Sequence, residues 1–531
     1  MSALVLLHCT AVARPPDKGK GIWQLLRNST GVVPMNMALT HPNAVIMFDQ
    51  TGSGPSQYPL RRCYNGTRCK ATHYDQSDSS CFAHSIEYNI LSNGIRPLNI
   101  ETDTFVLLRL HFRQWNTSSN RWIRRWLSIR YYEPCRHCNW RQSKQLLSAN
   151  RWYASNLVLP EKDRVIVVGG RGTFSYEFVP KSSHRDKTFD LPLLHRTYDR
   201  KFIFANRDSI LLDYKRHRVV KTFPRIPGDA PRSYPSTASS VILPLDHRDG
   251  FKKVEVIVCG GAASGAYTAA KEGKFLEDLT TCGRMVISGI IFKSCVITGN
   301  KHKWSMEEMP GPRLMNDMLI LPTGDILIIN GVKRGCAGWN SAASPSLQPY
   351  LYKQSKKHGK RFSILKSTKI ARMYHSSAIL LPDGRVLVAG GNPNNKYALS
   401  DVPFPTELSL CSLQMDRKFD KTRPQNVSIY YGGGRGVGYG AEFGVNFWLR
   451  RKPVKLKFTA YKPPFTTHSL SMNQRMVVLE CKNMTRGEGG WVNALLKAPP
   501  SANTAPAGYY MLTVVNGGIP SISQRVRFMH A

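Results

Sequence analysis

Short hydrophobic runs separated by turn residues set the pattern of most of this chain. Four segments repeat one order of positions: an arginine, a short polar patch, an apolar run ending near Leu-Pro, a turn with Asp or Gly, and a second apolar run that usually ends in Gly-Gly. Two apolar runs joined by such a turn are typical of a β-hairpin. The pattern therefore predicts one hairpin repeated along the chain, in the segments RWYASNLVLPEKDRVIVVGG from Arg151, RSYPSTASSVILPLDHRDGFKKVEVIVCGG from Arg232, PRLMNDMLILPTGDILIING from Pro312 and ARMYHSSAILLPDGRVLVAGG from Ala371.

The second run of each hairpin also indicates how the hairpins pack. VIVVGG, ILIING and VLVAGG are continuous and rich in aliphatic residues, as in strands that are buried on both faces. The turns at 322–324 and 382–384 contain the glycines, Gly324 and Gly384, that a positive φ requires. A fifth, divergent copy, MNMALTHPNAVIMFDQTG, begins at Met35. Repeats spaced by about 60 to 80 residues leave room for four strands each, so we predict a Kelch-like β-propeller.

The pattern changes after Thr422. The stretches RPQNVSIYYGG, VKLKFTAYKPPFTTHSLSMNQRMVVLECKN and APAGYYMLTVVNGGIPSISQRVRF alternate apolar and polar residues with a period of two, with turns between them. Such alternation is typical of a β-sandwich. We therefore expect an all-β chain with a propeller over residues 14–422 and a sandwich over residues 423–531.

The beginning of the chain resembles a secretory signal. Residues 1–13, MSALVLLHCTAVA, contain a short apolar core that ends in small residues, although no charged residue precedes it. We interpret this segment as a short signal peptide and expect a secreted protein of the cell wall. Twelve cysteines agree with this route, and so do glycosylation sequons, each of which also arises by chance. Among them are the sequons at Asn28, Asn65, Asn426 and Asn483.

Composition narrows the classes of partner. With 42% hydrophobic and 21% charged residues in 531, the chain has the composition of a globular protein. The formal net charge of +39 favours polyanionic surroundings. Lysine and arginine are scattered without a basic helix or RNA-binding motif, so we do not expect nucleic acid as a partner. No apolar run reaches the ~18 residues of a spanning helix, so we expect no transmembrane segment.

The cysteines offer candidate disulfides but no complete zinc site. Cys63 with Cys69, and Cys259 with Cys282, are plausible pairs, although sequence alone does not fix pairing. Residues 135–138 form a CxxC motif without the second CxxC that zinc binding requires. A disulfide or two buried thiols is the favoured reading of that motif.

Candidate chemistry lies at the residues that precede the inner strands, near the propeller channel. Tyr153 stands in RWYAS, Tyr374 and His375 stand in RMYHS, and His468 stands in the sandwich loop PPFTTHS. Two imidazoles and two phenols suit Cu(II), which prefers nitrogen and oxygen ligands in tetragonal geometry. On their own, Tyr and His at a strand start more often serve packing or hydrogen bonding.

The chain resembles a known family through motifs spread over nearly its whole length. It is similar to the galactose oxidase and glyoxal oxidase group of copper-radical oxidases, and above all to the plant glyoxal-oxidase-like aldehyde oxidases. The resemblance implies a seven-bladed propeller followed by an immunoglobulin-like, early-set domain, and a monomer that oxidises small aldehydes to acids while reducing O2 to H2O2. It rests on ALTHPNAVIMFDQTGSGPS, RWYASN, FANRDSILLDYKRH, SYPST, GGAASGAY, MPGPRLMNDMLILPTG, ARMYHSSAILLPDGRVLVAGGNP, PPFTTHS and GYYMLTVVNGGIPSIS.

The resemblance also implies roles for individual residues. Tyr153 matches the tyrosine that a thioether joins to a cysteine and that holds the radical. Tyr374 matches the axial tyrosine, which accepts the substrate proton as general base. His375 and His468 match the equatorial copper ligands. In the family the thioether lowers the potential at which the phenol gives up an electron.

The stretch from Phe105 to Trp126 departs from the family. Where the family has its crosslinking cysteine, this chain has Val106, so the thioether should not form here. Trp is encoded only by TGG, and reading one base later turns each of its three tryptophans into glycine. With permitted codons elsewhere, residues 106–126 then become CSSGSISANGTLLQTGGFGGG, which is the missing blade motif with its cysteine. We interpret the stretch as a frameshift, and the alternative is a genuine basic, aromatic loop.

A second blade also departs from the family, because half of the fourth hairpin is absent between His195 and Phe204. We therefore expect two damaged blades, and unpaired strand edges where they lose strands. The alternative function left open is a catalytically inactive Kelch-type propeller that binds acidic cell-wall polysaccharide through its positive charge.

Overall fold

The computed structural model describes most of the chain as small antiparallel sheets followed by a separate β-sandwich, so the predicted all-β class is confirmed. Within the described residues, the α-helices are two short segments, α1 (Pro192–His195) and α2 (Ala266–Lys271). The described residues are 20–40, 43–60, 81–99, 128–132, 138–151, 154–161, 164–181, 186–195, 204–287, 302–415, 422–431 and 435–530.

Among the described residues, seven small sheets make up the propeller. The last sheet includes β1 (Ile22–Arg27), which pairs with β28 and so joins the two ends of the ring. The other strands, in chain order, are β2 (Asn36–Leu39), β3 (Ala44–Phe48), β4 (Ser85–Asn89) and β5 (Ile95–Leu98) in blade 1; β6 (Ser128–Tyr132) and β7 (Trp140–Leu146) in blade 2; β8 (Ser155–Val158), β9 (Val165–Val168), β10 (Ser175–Val179) and β11 (Phe189–Asp190) in blade 3; β12 (Phe204–Ala205), β13 (Asp208–Asp213) and β14 (Arg218–Phe223) in blade 4; β15 (Ser239–Ile242), β17 (Val254–Cys259), β18 (Thr281–Ile287) and β19 (Trp304–Glu308) in blade 5; β20 (Asp317–Ile320), β21 (Ile326–Ile329), β24 (Tyr350–Tyr352) and β25 (Phe362–Ile364) in blade 6; and β26 (Ser376–Leu380), β27 (Val386–Gly390) and β28 (Leu410–Gln414) in blade 7.

Each predicted repeat forms the hairpin that its pattern indicated. The apolar runs pair as β8 with β9, β15 with β17, β20 with β21, β26 with β27 and, in the divergent copy, β2 with β3. Strands β9, β21 and β27 are buried along their whole length, as their unbroken aliphatic sequences predicted. Gly324 and Gly384 occupy the turns with φ of +89° and +85°.

Two blades are incomplete among the described residues. Blade 2 has two described strands and blade 4 has three. Blades 1, 3, 5 and 6 each have four strands of their own, and blade 7 has three of its own with β1 as the fourth. These are the two blades in which the sequence departs from its own repeat. Residues 100–127 and 196–203 lie outside the described residues, and so does the whole stretch from Phe105 to Trp126.

The sandwich is built on a strand that serves both of its layers. In β35 (Arg475–Arg486), residues 475–479 pair with β32 and residues 480–486 pair with β36, around a core of aromatic and aliphatic side chains. A short strand of the propeller, β16 (Leu245–Asp246), pairs in parallel with β35 and joins the two domains. The remaining strands are β22 (Val332–Gly335) and β23 (Ala342–Pro345), which form a hairpin beside blade 6, and β29 (Gln425–Tyr430), β30 (Val437–Gly438), β31 (Glu442–Trp448), β32 (Leu456–Lys462), β33 (Phe465–Thr467), β34 (Leu470–Met472), β36 (Trp491–Lys497), β37 (Gly508–Asn516), β38 (Ile519–Pro520) and β39 (Gln524–Met529).

The arginine that opens each repeat is buried and serves the same purpose in each blade. Arg151, Arg232, Arg313 and Arg372 are at most 4% exposed. In every case the guanidinium donates to the carbonyl at the end of the second strand and to a group near the start of the next strand. Because a buried guanidinium is costly without acceptors, these bonds offset part of the cost of burial and fix the two strand ends. The acceptors at the end of the second strand are the carbonyls of Gly169, Gly260, Asn330 and Gly390.

The glycines that close each hairpin allow neighbouring blades to approach. Gly261 N donates to the carbonyl of Arg313 at 2.9 Å, and Gly331 N donates to the carbonyl of Arg372 at 2.8 Å. A Cβ on Gly260, whose φ is +78°, would stand 2.2 Å from the Arg313 carbonyl oxygen. The Gly-Gly ending of one repeat is therefore a contact with the arginine of the next.

The predicted pair of Cys259 and Cys282 forms a disulfide between β17 and β18, where the two residues stand opposite each other. Cys138 is also disulfide-bonded. The other cysteines considered above, Cys63, Cys69 and Cys135, lie outside the described residues.

We predict that Gly260→Ala destabilises the protein much more than Gly265→Ala. Both glycines have a left-handed φ, +78° and +77°, but a Cβ on Gly265 meets nothing within 4 Å. Gly265→Ala should cost about 1 kcal/mol for its backbone conformation, and Gly260→Ala should cost at least about 2 kcal/mol more because it pushes blades 5 and 6 apart. Urea unfolding measures both variants, and equal losses would contradict the inter-blade role of Gly260.

Candidate functional site

Tyr374 and His375 lie in the turn that leads into β26, the inner strand of blade 7. The carbonyl of Tyr374 accepts a hydrogen bond from Asn392 N at 2.6 Å, and Ser376 N donates to the Met373 carbonyl at 3.1 Å. Two residues before Tyr374, the buried Arg372 anchors the turn to the ends of β27 and β28. The backbone of His375 is left-handed, with φ of +64°. Such a conformation is uncommon in a residue other than glycine and is frequent at functional sites.

His468 reaches the same place from the other domain. It stands in the turn between β33 and β34, a hairpin that leaves the sandwich and adds to the inner strand of blade 1, with Thr467 opposite Asn36. His468 also has a left-handed backbone, with φ of +47°. The six-stranded sheet of blade 1 therefore contains two strands from the C-terminal domain.

The hairpin is held by several blades at once. Ser239 of blade 5 donates from Oγ to the Ser469 carbonyl at 2.6 Å. Ser471 donates from Oγ to the Met318 carbonyl of blade 6 at 3.1 Å. Asn473 Oδ1 accepts from Val158 N of blade 3 at 2.6 Å. These bonds give His468 a position set by the propeller rather than by the sandwich.

The three side chains form a compact group. The ring centroids of Tyr374 and His375 are 3.9 Å apart, those of His375 and His468 are 5.0 Å apart, and those of Tyr374 and His468 are 5.8 Å apart. The two imidazole planes are nearly perpendicular, at 84°. Two nitrogen bases and a phenol from distant parts of the sequence thus converge on one point.

Burial sets the protonation of His375. The residue is 3% exposed, and neither ring nitrogen has a hydrogen-bond partner within the described part of the chain. Desolvation lowers the pKa of His375 to about 3, so the imidazole is neutral at physiological pH and keeps a lone pair available. Nδ1 of His468 lies 2.7 Å from Thr467 Oγ1, which fixes the orientation of that ring.

Tyr374 is buried in an apolar cluster that includes Met315, Met373 and Ala337, and Tyr234 packs against this cluster. The oxygen of Tyr374 donates to the oxygen of Tyr234 at 3.5 Å. Two imidazoles beside a phenol make a good ligand set for a transition metal. Among the described residues, no three His, Cys, Asp or Glu side chains come together.

The structure brings together three of the residues that the sequence singled out. Tyr153 and Val106 lie outside the described residues. Tyr153 follows Arg151 by two positions, as Tyr374 follows Arg372.

Tyr234 was not among the predicted site residues. A signal for it existed, because Tyr234 follows Arg232 by the same two positions. The repeat register alone therefore pointed to this residue.

The first of two matching family models describes the propeller and the second describes the sandwich. Residues 35–415 match the model of the glyoxal oxidase N-terminus. Residues 423–528 match the galactose oxidase-like early-set domain.

Two plant relatives are similar to nearly the whole chain, and a fungal relative is similar to part of it. An aldehyde oxidase, GLOX1, of Arabidopsis thaliana is 35% identical over 98% of this chain and 86% of its own length. The aldehyde oxidase GLOX of Vitis pseudoreticulata is 34% identical over 96% of this chain and 97% of its own length. A galactose oxidase of Gibberella zeae is 27% identical over 40% of this chain and 29% of its own length.

Within the described residues, neither helix has the length and apolar character needed to cross a membrane.

We predict that His375→Leu raises the stability of the protein, and raises it more at pH 5 than at pH 7.5. The change removes a buried imidazole without partners, and it also removes a group whose pKa falls from about 6.5 in the unfolded chain to about 3 in the fold. Because the pKa of His375 is lower in the fold, the unfolded chain binds the proton first. The free energy of unfolding of the wild-type protein therefore falls as the pH drops from about 6.5 toward about 3. At pH 5 the difference in the free energy of unfolding between His375→Leu and the wild-type protein should be about 2 kcal/mol larger than at pH 7.5.

Urea unfolding at the two pH values, in buffers without added metal, measures the effect. His358→Leu changes an exposed histidine and serves as the control, because its imidazole is not desolvated to the same degree. A stability difference for His375→Leu that does not grow between pH 7.5 and pH 5 would contradict the buried, neutral imidazole.

Proposed function

The chain belongs to the glyoxal oxidase family, with a galactose oxidase-like early-set domain at its C-terminal end, and from this premise we propose that it is built as a copper-radical aldehyde oxidase. The proposed reaction converts a small aldehyde and one water molecule to the carboxylic acid while O2 is reduced to H2O2. The observation that carries the proposal is the buried His375, whose neutral ring nitrogens lie beside His468 and Tyr374.

The residues fit a copper ion by the chemistry of their donors. A buried imidazole with two unsatisfied nitrogens is costly, and a bound metal ion would remove part of that cost. His375, His468 and Tyr374 would supply two imidazoles and one phenol oxygen, which suits Cu(II). Thr467 at Nδ1 of His468 would orient that ring, as a hydrogen-bonded neighbour commonly orients a ligating histidine.

Each residue has a role in the proposed reaction. Copper, when bound, would supply one-electron redox chemistry beside the substrate. Tyr374 would accept the substrate proton at its phenol oxygen. The apolar cluster around Tyr374 would exclude water from this oxygen.

Val106 limits the activity that this chain can have. The family cysteine at that position would form a thioether with Tyr153, and valine cannot form it. We therefore expect the chain to bind Cu(II) through Tyr374, His375 and His468 but to turn over aldehydes poorly, because the phenol of Tyr153 keeps a high oxidation potential.

The secreted location is part of the same proposal. It rests on the apolar segment of residues 1–13 and on the sequons at Asn28, Asn65, Asn426 and Asn483. An oxidase that releases H2O2 outside the cell would keep this product away from cytosolic thiols.

We predict that replacing residues 106–126 by CSSGSISANGTLLQTGGFGGG raises H2O2 release from methylglyoxal by at least about 100-fold in copper-loaded protein, since the replacement restores a redox-active phenol. A peroxidase-coupled assay measures the rate. The matched control carries serine instead of cysteine at the first position of the replaced segment, which keeps the blade sequence and removes only the sulfur. Tyr374→Phe in the restored chain should lower the rate by about 100-fold or more, because it removes the proton acceptor.

An equally active serine control would contradict the role of the thioether. A restored chain that binds Cu(II) but oxidises no small aldehyde would contradict the proposed reaction.

A second candidate function rests on charge alone. Lysine and arginine number 74 against 35 for aspartate and glutamate, which favours a catalytically inactive propeller that binds acidic cell-wall polysaccharide.

We predict for this candidate that the protein binds a polygalacturonate column and elutes below about 0.5 M NaCl, because salt screens contacts between exposed charges. A column of neutral glucan is the control and should retain nothing. Retention that salt leaves unchanged, or equal retention on both columns, would exclude recognition by charge.

A further inference from the structure

The anchoring of Arg232 and the position of Tyr234 in the repeat place Tyr234 beside the site. Arg232 is anchored like Arg372, since its guanidinium donates to the carbonyls of Gly260 and Thr281, as that of Arg372 donates to the carbonyls of Gly390 and Ser409. Tyr234 and Tyr374 follow these arginines by the same two positions. Equivalent anchoring therefore brings equivalent side chains from blades 5 and 7 toward the same end of the inner strands.

The backbone around Tyr234 is fixed on two sides. Ser233 Oγ accepts from Asn206 N of blade 4 at 2.9 Å. The Pro235 carbonyl accepts from Ala337 N at 2.7 Å, and the Thr237 carbonyl accepts from Met315 N at 3.0 Å, both in blade 6. A side chain on such a segment has a defined position and does not need copper to hold it there.

The contact that results joins the two phenols. Tyr374 Oη and Tyr234 Oη are 3.5 Å apart, which is longer than the roughly 2.5–3.0 Å of an ordinary hydrogen bond between hydroxyls. Hydrogen bonds at catalytic groups are often long before the working complex forms, and they shorten in it. A tyrosine hydroxyl can donate or accept, so either phenol can be the donor.

We propose that Tyr234 is a positioning residue of this site, whose hydroxyl donates a hydrogen bond to the Tyr374 oxygen once that oxygen is a metal ligand. This inference rests on the proposed copper function. A bound metal ion takes the place of the Tyr374 proton, so Tyr374 can only accept and Tyr234 becomes the donor. The bond holds the Tyr374 ring in one orientation and withdraws electron density from its oxygen. Tyr234 contributes no ligand and accepts no substrate proton.

The closing experiment uses the full chain with Cu(II) and records the absorption band of phenolate-to-copper charge transfer. Tyr234→Phe should move this band to longer wavelength, because a phenolate that loses a hydrogen-bond donor gives up charge to the metal more easily. Tyr267→Phe removes the hydroxyl of an exposed tyrosine in the same blade and should leave the band in place. Tyr234→His keeps a ring with an N–H donor, so its band should lie between that of the wild-type chain and that of Tyr234→Phe. A purely structural role of Tyr234 would not produce this partial return.

The outcomes separate the two proposals. A wild-type band that is identical in Tyr234→Phe overturns the role of Tyr234 and leaves the copper function standing, and so does an equal shift in Tyr267→Phe. A wild-type chain that binds no Cu(II) and shows no band overturns the proposed function and the role of Tyr234 with it. Thermal unfolding of each variant without metal shows whether it is folded, and Tyr234→His supplies the test if Tyr234→Phe is not.

Discussion

The buried guanidinium at the start of each repeat is the interaction on which the rest of the propeller depends. Arg151, Arg232, Arg313 and Arg372 tie the end of one strand to the start of another, and their own carbonyls receive the glycine N–H groups of the neighbouring blade where the structure shows them. Since each charge is taken out of water, the fold is stable only if these acceptors stay in place. The same bonds fix the residue two positions after each arginine. The arginine that stabilises a blade therefore also positions a side chain at the inner end of that blade.

The second constraint is the hairpin of β33 and β34, which brings part of one domain into the other. His468 lies at its tip, and its position depends on hydrogen bonds to blades 3, 5 and 6. His375 and His468 both have left-handed backbones, which cost of order 1 kcal/mol or more each. Packing of the hairpin between the blades compensates for this cost. Strain of this kind at two imidazoles that face each other is consistent with selection for a function rather than for stability.

Most of the propeller could be predicted from the sequence because its signals are local. Continuous aliphatic runs such as that of β9, and turns such as the one at Gly384, depend on residues a few positions apart. The pairing of Cys259 with Cys282 was plausible because the two flank one hairpin. The sequence did not reveal β1, since IWQLLR has no partner near it in the chain and pairs with β28 nearly 400 residues later. The insertion of β33 was hidden for the same reason, because its alternating pattern reads as one more strand of the sandwich.

The position of the β33–β34 hairpin late in the sequence also determines when the site can be completed during synthesis. His375 is synthesised with the propeller, but the ribosome must pass His468 and release the hairpin before the second imidazole can enter the ring. β1, made first, waits for β28 to close the same ring. The centre is therefore completed only after both the propeller and the β33–β34 hairpin have been synthesised. No fragment that ends before His468 can acquire the site.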